Sequence, residues 1–303
     1  MVTDLSVKFC GLTFKNPIVA ASGTFGFGRE YGGYFDLSEL GGIAVKGLTM
    51  KPRLGNAPPR IAETPSGMLN AVGLQNPGVR AFVSDELPYL RRYDTKIIAN
   101  ISAESAEEYG ELAAVLSDAG VDIIEVNVSC PNVKAGGIQF GTSAVAAAEV
   151  TEAVKRRSAV PVMIKLSPNV TDIAAIAKAC ESAGADALSL INTLLGMRID
   201  VKSRRPVLSN VTGGLSGPAV LPVAVRCVYQ AANAVKLPLL GLGGVSSGTD
   251  AAELMLAGAS LVGVGTASFA NPRAALVIRG ELEEYMRRNN LSSPGEISGG
   301  VVI

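Results

Sequence analysis

Eight short apolar runs alternate with helix-patterned segments along the 303-residue chain, and no other feature restricts the fold as much. The runs fall at residues 18–21, 42–45, 96–101, 121–128, 161–166, 187–191, 237–242 and 261–264. Each has strand length and is nearly continuous in apolar character, as a strand buried on both faces of a parallel sheet must be. Helical periodicity occupies 103–119, 143–157, 172–183, 219–235 and 249–257, and Gly120, Gly184 and Gly258 break the pattern where three of these segments end. Strands and helices alternating in this way over this length specify an α/β fold, a closed (β/α)8 TIM barrel in one domain over 1–303, with a doubly wound open sheet as the alternative. Ahead of the first run, residues 7–14 (VKFCGLTF) read as a short β-hairpin turning at Gly11 and covering the barrel bottom.

Two connections are too long for plain turns. Residues 48–76 and 196–217 are rich in Pro, Gly, Asn and Ser, both follow strand ends, and both are expected to rise over the active face as irregular loops. A third segment, 133–141, carries Gly136, Gly137 and Gly141 directly after Cys130 and reads as a lid that shields the thiol from water. The stretch 289–303 reads either as a docked tail or as a frayed end.

Composition removes several function classes. The 27 basic and 27 acidic residues cancel and no long basic run occurs, so nothing electrostatic favours nucleic acid as a partner. No apolar run reaches the roughly 18 residues of a membrane span, and MVTDLSVKFCG has no secretory apolar core, so the chain reads as cytoplasmic. Cys10, Cys130, Cys180 and Cys227 are widely spread with no CxxC pair, against a disulfide framework, a metal site or an iron–sulfur cluster on this chain. Cys180 and Cys227 lie at core spacing in helical segments. The chain has no histidine. Proton transfer near neutral pH must therefore use a thiol, an amine, a carboxylate or a phenol.

In a barrel the C-terminal strand ends converge on one pocket even when they are far apart in sequence. Here those ends supply Ser22, Lys46 with Gly47, Asn100, Asn127 with Cys130, Lys165, Asn192 with Thr193, Gly243 with Gly244, and Gly265 with Thr266. Each has an ordinary explanation alone, since asparagine and glycine end strands for turn reasons and a lone cysteine is usually a small core residue. Together they form a polar ring on apolar runs. Lys46 and Lys165 follow buried strands and need an anionic partner, either a substrate carboxylate, a phosphate or charge developing on a cofactor ring. The glycine turns GLGG and GVGT after the last two runs let backbone N–H groups approach a phosphate. A phosphate-bearing flavin with Cys130 as proton acceptor fits this set. An aldolase-like barrel forming a Schiff base on Lys165 is the alternative chemistry, and it leaves Cys130 and the pocket asparagines, Asn70 included, without a role.

The motifs ASGTFGFG (21–28), KGLT (46–49), NAVGLQNPG (70–78), NVSCPNVKAGGIQFG (127–141), IKLSPN (164–169), INT (191–193), GGLSGPA (213–219), GLGGV (241–245) and GTA (265–267) occur in this order. Jointly they resemble the dihydroorotate dehydrogenases over essentially the whole chain. The cysteine of NVSCPN is like that of class 1, and GLQNPG with CPNVKAGGIQFG is most like the catalytic subunit of the NAD-linked subtype 1B. This resemblance implies FMN-dependent oxidation of (S)-dihydroorotate to orotate in pyrimidine biosynthesis, with Cys130 taking the C5 proton as hydride leaves C6. It implies that Ser22, Lys46, Gly47, Asn100, Asn127, Lys165, Ile191, Gly217, Gly243, Gly244, Gly265 and Thr266 hold FMN. Substrate would be held by Lys46, Asn70, Ala71, Val72, Gly73, Leu74, Asn127, Asn192 and Thr193. It further implies a homodimer at the core of a heterotetramer, whose second subunit carries FAD and a 2Fe-2S cluster and passes electrons to NAD. The alternatives are the fumarate-using subtype 1A homodimer and a flavin- or phosphate-binding barrel without activity.

Overall fold

In the computed structural model of the chain, residues 3–129 and 140–303 are described. Strands Val7–Phe9 and Leu12–Phe14 pair antiparallel as the expected hairpin. Eight parallel strands then close a barrel in chain order: β1 (Ile18–Ala20), β2 (Gly42–Ala44), β3 (Lys96–Ile101), β4 (Ile123–Asn127), β5 (Val162–Lys165), β6 (Ala187–Leu190), β7 (Leu239–Leu242) and β8 (Leu261–Val264). β8 pairs back onto β1 and leaves no free edge.

Strand parity explains how the barrel is filled. Ile18, Ile43, Ile97, Ile124, Val162, Leu188, Leu239 and Val262 point outward into the core shared with the helices. Their neighbours Val19, Ala44, Ile98, Ile123, Met163, Ala187, Leu240 and Leu261 point inward and pack with Phe9 and Phe14, so the hairpin does close the barrel bottom. Side chains two residues on face the same way. Continuing the inward rows therefore places Asn100 above Ile98, Glu125 and then Asn127 above Ile123, Lys165 above Met163, and Ser189 above Ala187. The interior changes from apolar to polar within one strand length.

The helices lie where the periodicity places them, and their ends have local causes. Ser105 caps Ala106–Ala119 by accepting from the Glu108 N–H, Ser143 caps Ala144–Lys155, and Asp172 caps Ile173–Ser182. Ala106–Ala119 stops at Gly120, which takes the left-handed φ of +78° that a Cβ would resist. No helix among the described residues is long and apolar enough to cross a membrane.

The two long connections depart from expectation. Parts of both are ordered as strands rather than irregular loop. Leu194–Met197, Thr212–Ser216, Gly67–Asn70 and Ile61–Thr64 pair in that order into a four-stranded antiparallel sheet. Neither connection shows this locally, because the central pairing joins Gly214 to Asn70, residues far apart in sequence. The stretch 289–303 is docked: Ile297 is buried, Gly299 N–H donates to the Met255 carbonyl, and Val301 N–H donates to that of Leu256.

Candidate active site

The polar layer is built around Glu125, which is 1% exposed. Asn100 Nδ2 donates to its Oε2 at 2.5 Å, and Ser189 Oγ donates to its Oε1 at 2.7 Å. Lys165 Nζ, on a side chain 7% exposed, lies 3.9 Å from the same carboxylate. That separation makes an ion pair without a hydrogen bond and leaves the ammonium donors of Lys165 for another acceptor. The strand pattern points to a ligand as the anionic partner of Lys165, yet the chain supplies one itself in Glu125. Neither Glu125 nor Ser189 was among the expected site residues. Their signal was present, since each is polar, inside an apolar parallel strand, and two positions above an inward-facing residue.

Because a carboxylate only accepts, the Asn100 NH2 must face Glu125 and its Oδ1 must face away. That oxygen lies toward Gly47, where an added Cβ would fall 2.8 Å from it and 3.5 Å from Leu74 Cδ2. A side chain at position 47 would therefore displace Asn100. Asn127 Oδ1 accepts from Asn192 Nδ2 at 3.1 Å and from the Ser129 N–H at 3.2 Å, which leaves the Asn127 amide hydrogens to donate elsewhere. Asn192 Oδ1 in turn accepts from the Thr193 N–H at 2.8 Å. At the other side of the ring Ser22 Oγ donates to the Val45 carbonyl at 2.6 Å, and Lys46 Nζ lies 3.9 Å from where a Cβ on Gly23 would stand.

The glycine turns meet the start of helix Leu221–Ala232. Gly243, at φ +128°, would place a Cβ 3.0 Å from Ile191 Cγ1, and Gly244, at φ +83°, would place one 2.6 Å from the Leu221 nitrogen. Gly217, at φ +101°, precedes the turn Pro218–Val220 that leads into this helix. Thr266 Oγ1 donates to Ser216 Oγ at 2.8 Å, and Gly265 sits by Thr24 and Ala21. Gly244→Ala forces both a left-handed residue and a backbone clash, so we expect it to destabilise the chain by about 1–3 kcal/mol. Urea unfolding of the purified variant measures this, and an unchanged midpoint would contradict it.

Residues 70–74 are held from both sides. Asn56 Nδ2 donates to the Ala71 carbonyl at 2.8 Å, its N–H donates to that of Val72, and Asn70 Nδ2 donates to the Gly214 carbonyl at 3.3 Å. Buried Asn76 donates to the Leu74 carbonyl at 2.7 Å and accepts from the Thr49 and Gly78 N–H groups. Gly73 and Leu74 adopt φ of +75° and +56°, and Leu74 thereby reaches the end of β2 at Gly47. The anchors Asn56 and Asn76 were not foreseen.

Three of the four thiols are poor proton acceptors. Burial, then the Asp186 carboxylate, pushes Cys10 up to about 12; burial pushes Cys180 up to about 11; burial also raises Cys227. Cys180 and Cys227 are core residues, as their helical spacing indicated. Cys130 and residues 133–139 of the expected lid at 133–141 lie outside the described residues, and the lid's last two residues belong to the short turn Phe140–Thr142.

The family model described as dihydroorotate dehydrogenase matches residues 4–286. The chain is 55% identical over 296 residues to the dihydroorotate dehydrogenase B (NAD(+)), catalytic subunit, of Alkaliphilus oremlandii, covering 98% of each chain. It is 56% identical over 299 residues to the protein of the same description from Geobacter sp. strain M21, again covering 98% of each. A crystal structure of DHODH from Eimeria tenella in complex with ferulenol superposes with a TM-score of 0.82 at 21% identity, over 98% of this chain and 88% of that one, and shares the barrel.

Proposed function

The chain belongs to the dihydroorotate dehydrogenase family, and from that premise we propose that it oxidises dihydroorotate to orotate in pyrimidine biosynthesis with FMN bound at the barrel's C-terminal face. The observation that carries this reading is the abrupt polar layer: Glu125, Lys165, Asn100 and Ser189 are joined inside a barrel that is otherwise apolar. The residues fit a flavin phosphate. Two lysines sit at strand ends, and Gly243, Gly244 and Gly265 have no side chain to block backbone approach.

When bound, FMN supplies the two-electron acceptor for the hydride that leaves dihydroorotate. Ser22, Lys46, Gly47, Asn100, Asn127, Lys165, Ile191, Gly217, Gly243, Gly244, Gly265 and Thr266 hold it. Lys165 offers its free N–H donors toward that group, and the Ile191 side chain packs on the Gly243 turn. Lys46, Asn127, Asn192, Thr193 and the backbone of 70–74 hold the substrate, with Asn127 donating through the amide hydrogens that its contacts with Asn192 and Ser129 leave available. Cys130 removes the substrate proton as a thiolate, an assignment resting on the NVSCPN motif and on the unsuitability of the other thiols.

The relatives at 55–56% identity are described as catalytic subunits of an NAD(+) enzyme. On that basis the cytoplasmic chain works as a homodimer within a heterotetramer, passing electrons to a second subunit with FAD and a 2Fe-2S cluster. Anaerobic addition of dihydroorotate to the purified, FMN-loaded chain is expected to bleach its flavin absorbance, and neither NAD nor fumarate should restore it. Recovery with fumarate would assign the chain to the fumarate-using homodimers instead. A chain that stays colourless after addition of FMN would end the flavin reading and turn attention to Lys165 as a Schiff-base former.

A further inference from the structure

We propose that Glu125 is a positioning residue that tunes the flavin site from below, by holding Asn100 in one amide orientation and by offsetting the charge of Lys165. The inference rests on the flavin reading above and deepens it. Both oxygens of the carboxylate accept hydrogen bonds, from Asn100 at 2.5 Å and Ser189 at 2.7 Å, while the Lys165 ammonium stands 3.9 Å away. At 1% exposure the carboxylate contacts no bulk water, so its field reaches its neighbours with little screening.

The arrangement has a directional consequence. Asn100 on β3 stands opposite Glu125, Lys165 on β5 stands one inward position further along, opposite Asn127, and Glu125 sits on β4 between the two strands. It therefore reaches both Asn100 and Lys165, the two side chains assigned to the flavin. A cation beside a flavin favours the reduced, more negative form. Glu125 weakens that preference by partly cancelling Lys165, and so keeps the flavin potential lower than the lysine alone would set it. A low potential suits an enzyme whose electrons must move on to a second acceptor.

The test is the two-electron midpoint potential of the FMN-loaded chain, measured spectrophotometrically against reference dyes, for wild type, Glu125→Asp and Glu125→Gln. Glutamine keeps the shape and removes the charge. Asparticacid keeps the charge but withdraws it toward the β4 backbone, away from Lys165. The potential should rise in the order Glu, Asp, Gln, and the Gln variant should favour reduced over oxidised FMN at least tenfold more than wild type does, about 30 mV for a two-electron couple. A merely structural role would weaken FMN retention in both variants without ordering their potentials. Should the Gln variant fail to fold, the Asp variant alone decides by lying above wild type or not. Potentials equal to or below wild type would overturn the inference while leaving the flavin reading intact; a wild-type chain that does not bind FMN would overturn both.

Discussion

Replacing Cys130 by alanine is expected to slow flavin reduction by dihydroorotate by about 10²–10⁴-fold, the usual contribution of a positioned general base. FMN content should stay that of wild type, because the phosphate turns and the lysines are untouched. The thiolate is the active form, so the wild-type reduction rate should climb with pH through the ionisation of the thiol, which is ordinarily near 8.5. The alanine variant should lose that dependence. Anaerobic stopped-flow reduction across pH reads both quantities at once. A variant that reduced at near wild-type rate would remove Cys130 from the role, and with Cys10 and Cys180 pushed up to about 12 and 11 no described thiol would replace it.

Lys165→Met should have the largest effect on stability. It leaves the Glu125 carboxylate buried with Asn100 and Ser189 as its neutral donors among the described residues, and removing one partner of a buried ion pair typically costs about 3–5 kcal/mol. The apoprotein should show this loss in urea unfolding, because the pair belongs to the chain itself. In a Glu125→Gln background the same substitution should cost far less, since no uncompensated charge remains. Additive losses in the double variant would mean that the two side chains are not coupled, whatever their separation.

How much of this was legible beforehand can be judged from particular residues. Lys46, Asn100, Asn127 and Lys165 were found because each ends an apolar run, and a strand end in a barrel points at one place. Glu125 sits inside the run 121–128 rather than at its end, so the strand ends alone do not mark it. Parity would have found it: Ile123 faces the barrel interior, and so must the residue two positions later. Asn76 lies inside the NAVGLQNPG motif, and nothing local marks it as the residue that pins the 70–74 segment.

The sequence by itself determined the barrel, the hairpin beneath it, the helix ends and the ring of polar residues at the strand termini, because all of these depend on periodicity and on residues adjacent in the chain. Tertiary structure alone decided that the connections at 48–76 and 196–217 form one sheet, and that Lys165 finds its counter-charge in Glu125. Both depend on which distant segments meet. Backbone groups in one connection are completed by the other, and a carboxylate on β4 meets an amine on β5 only once the strands lie in register.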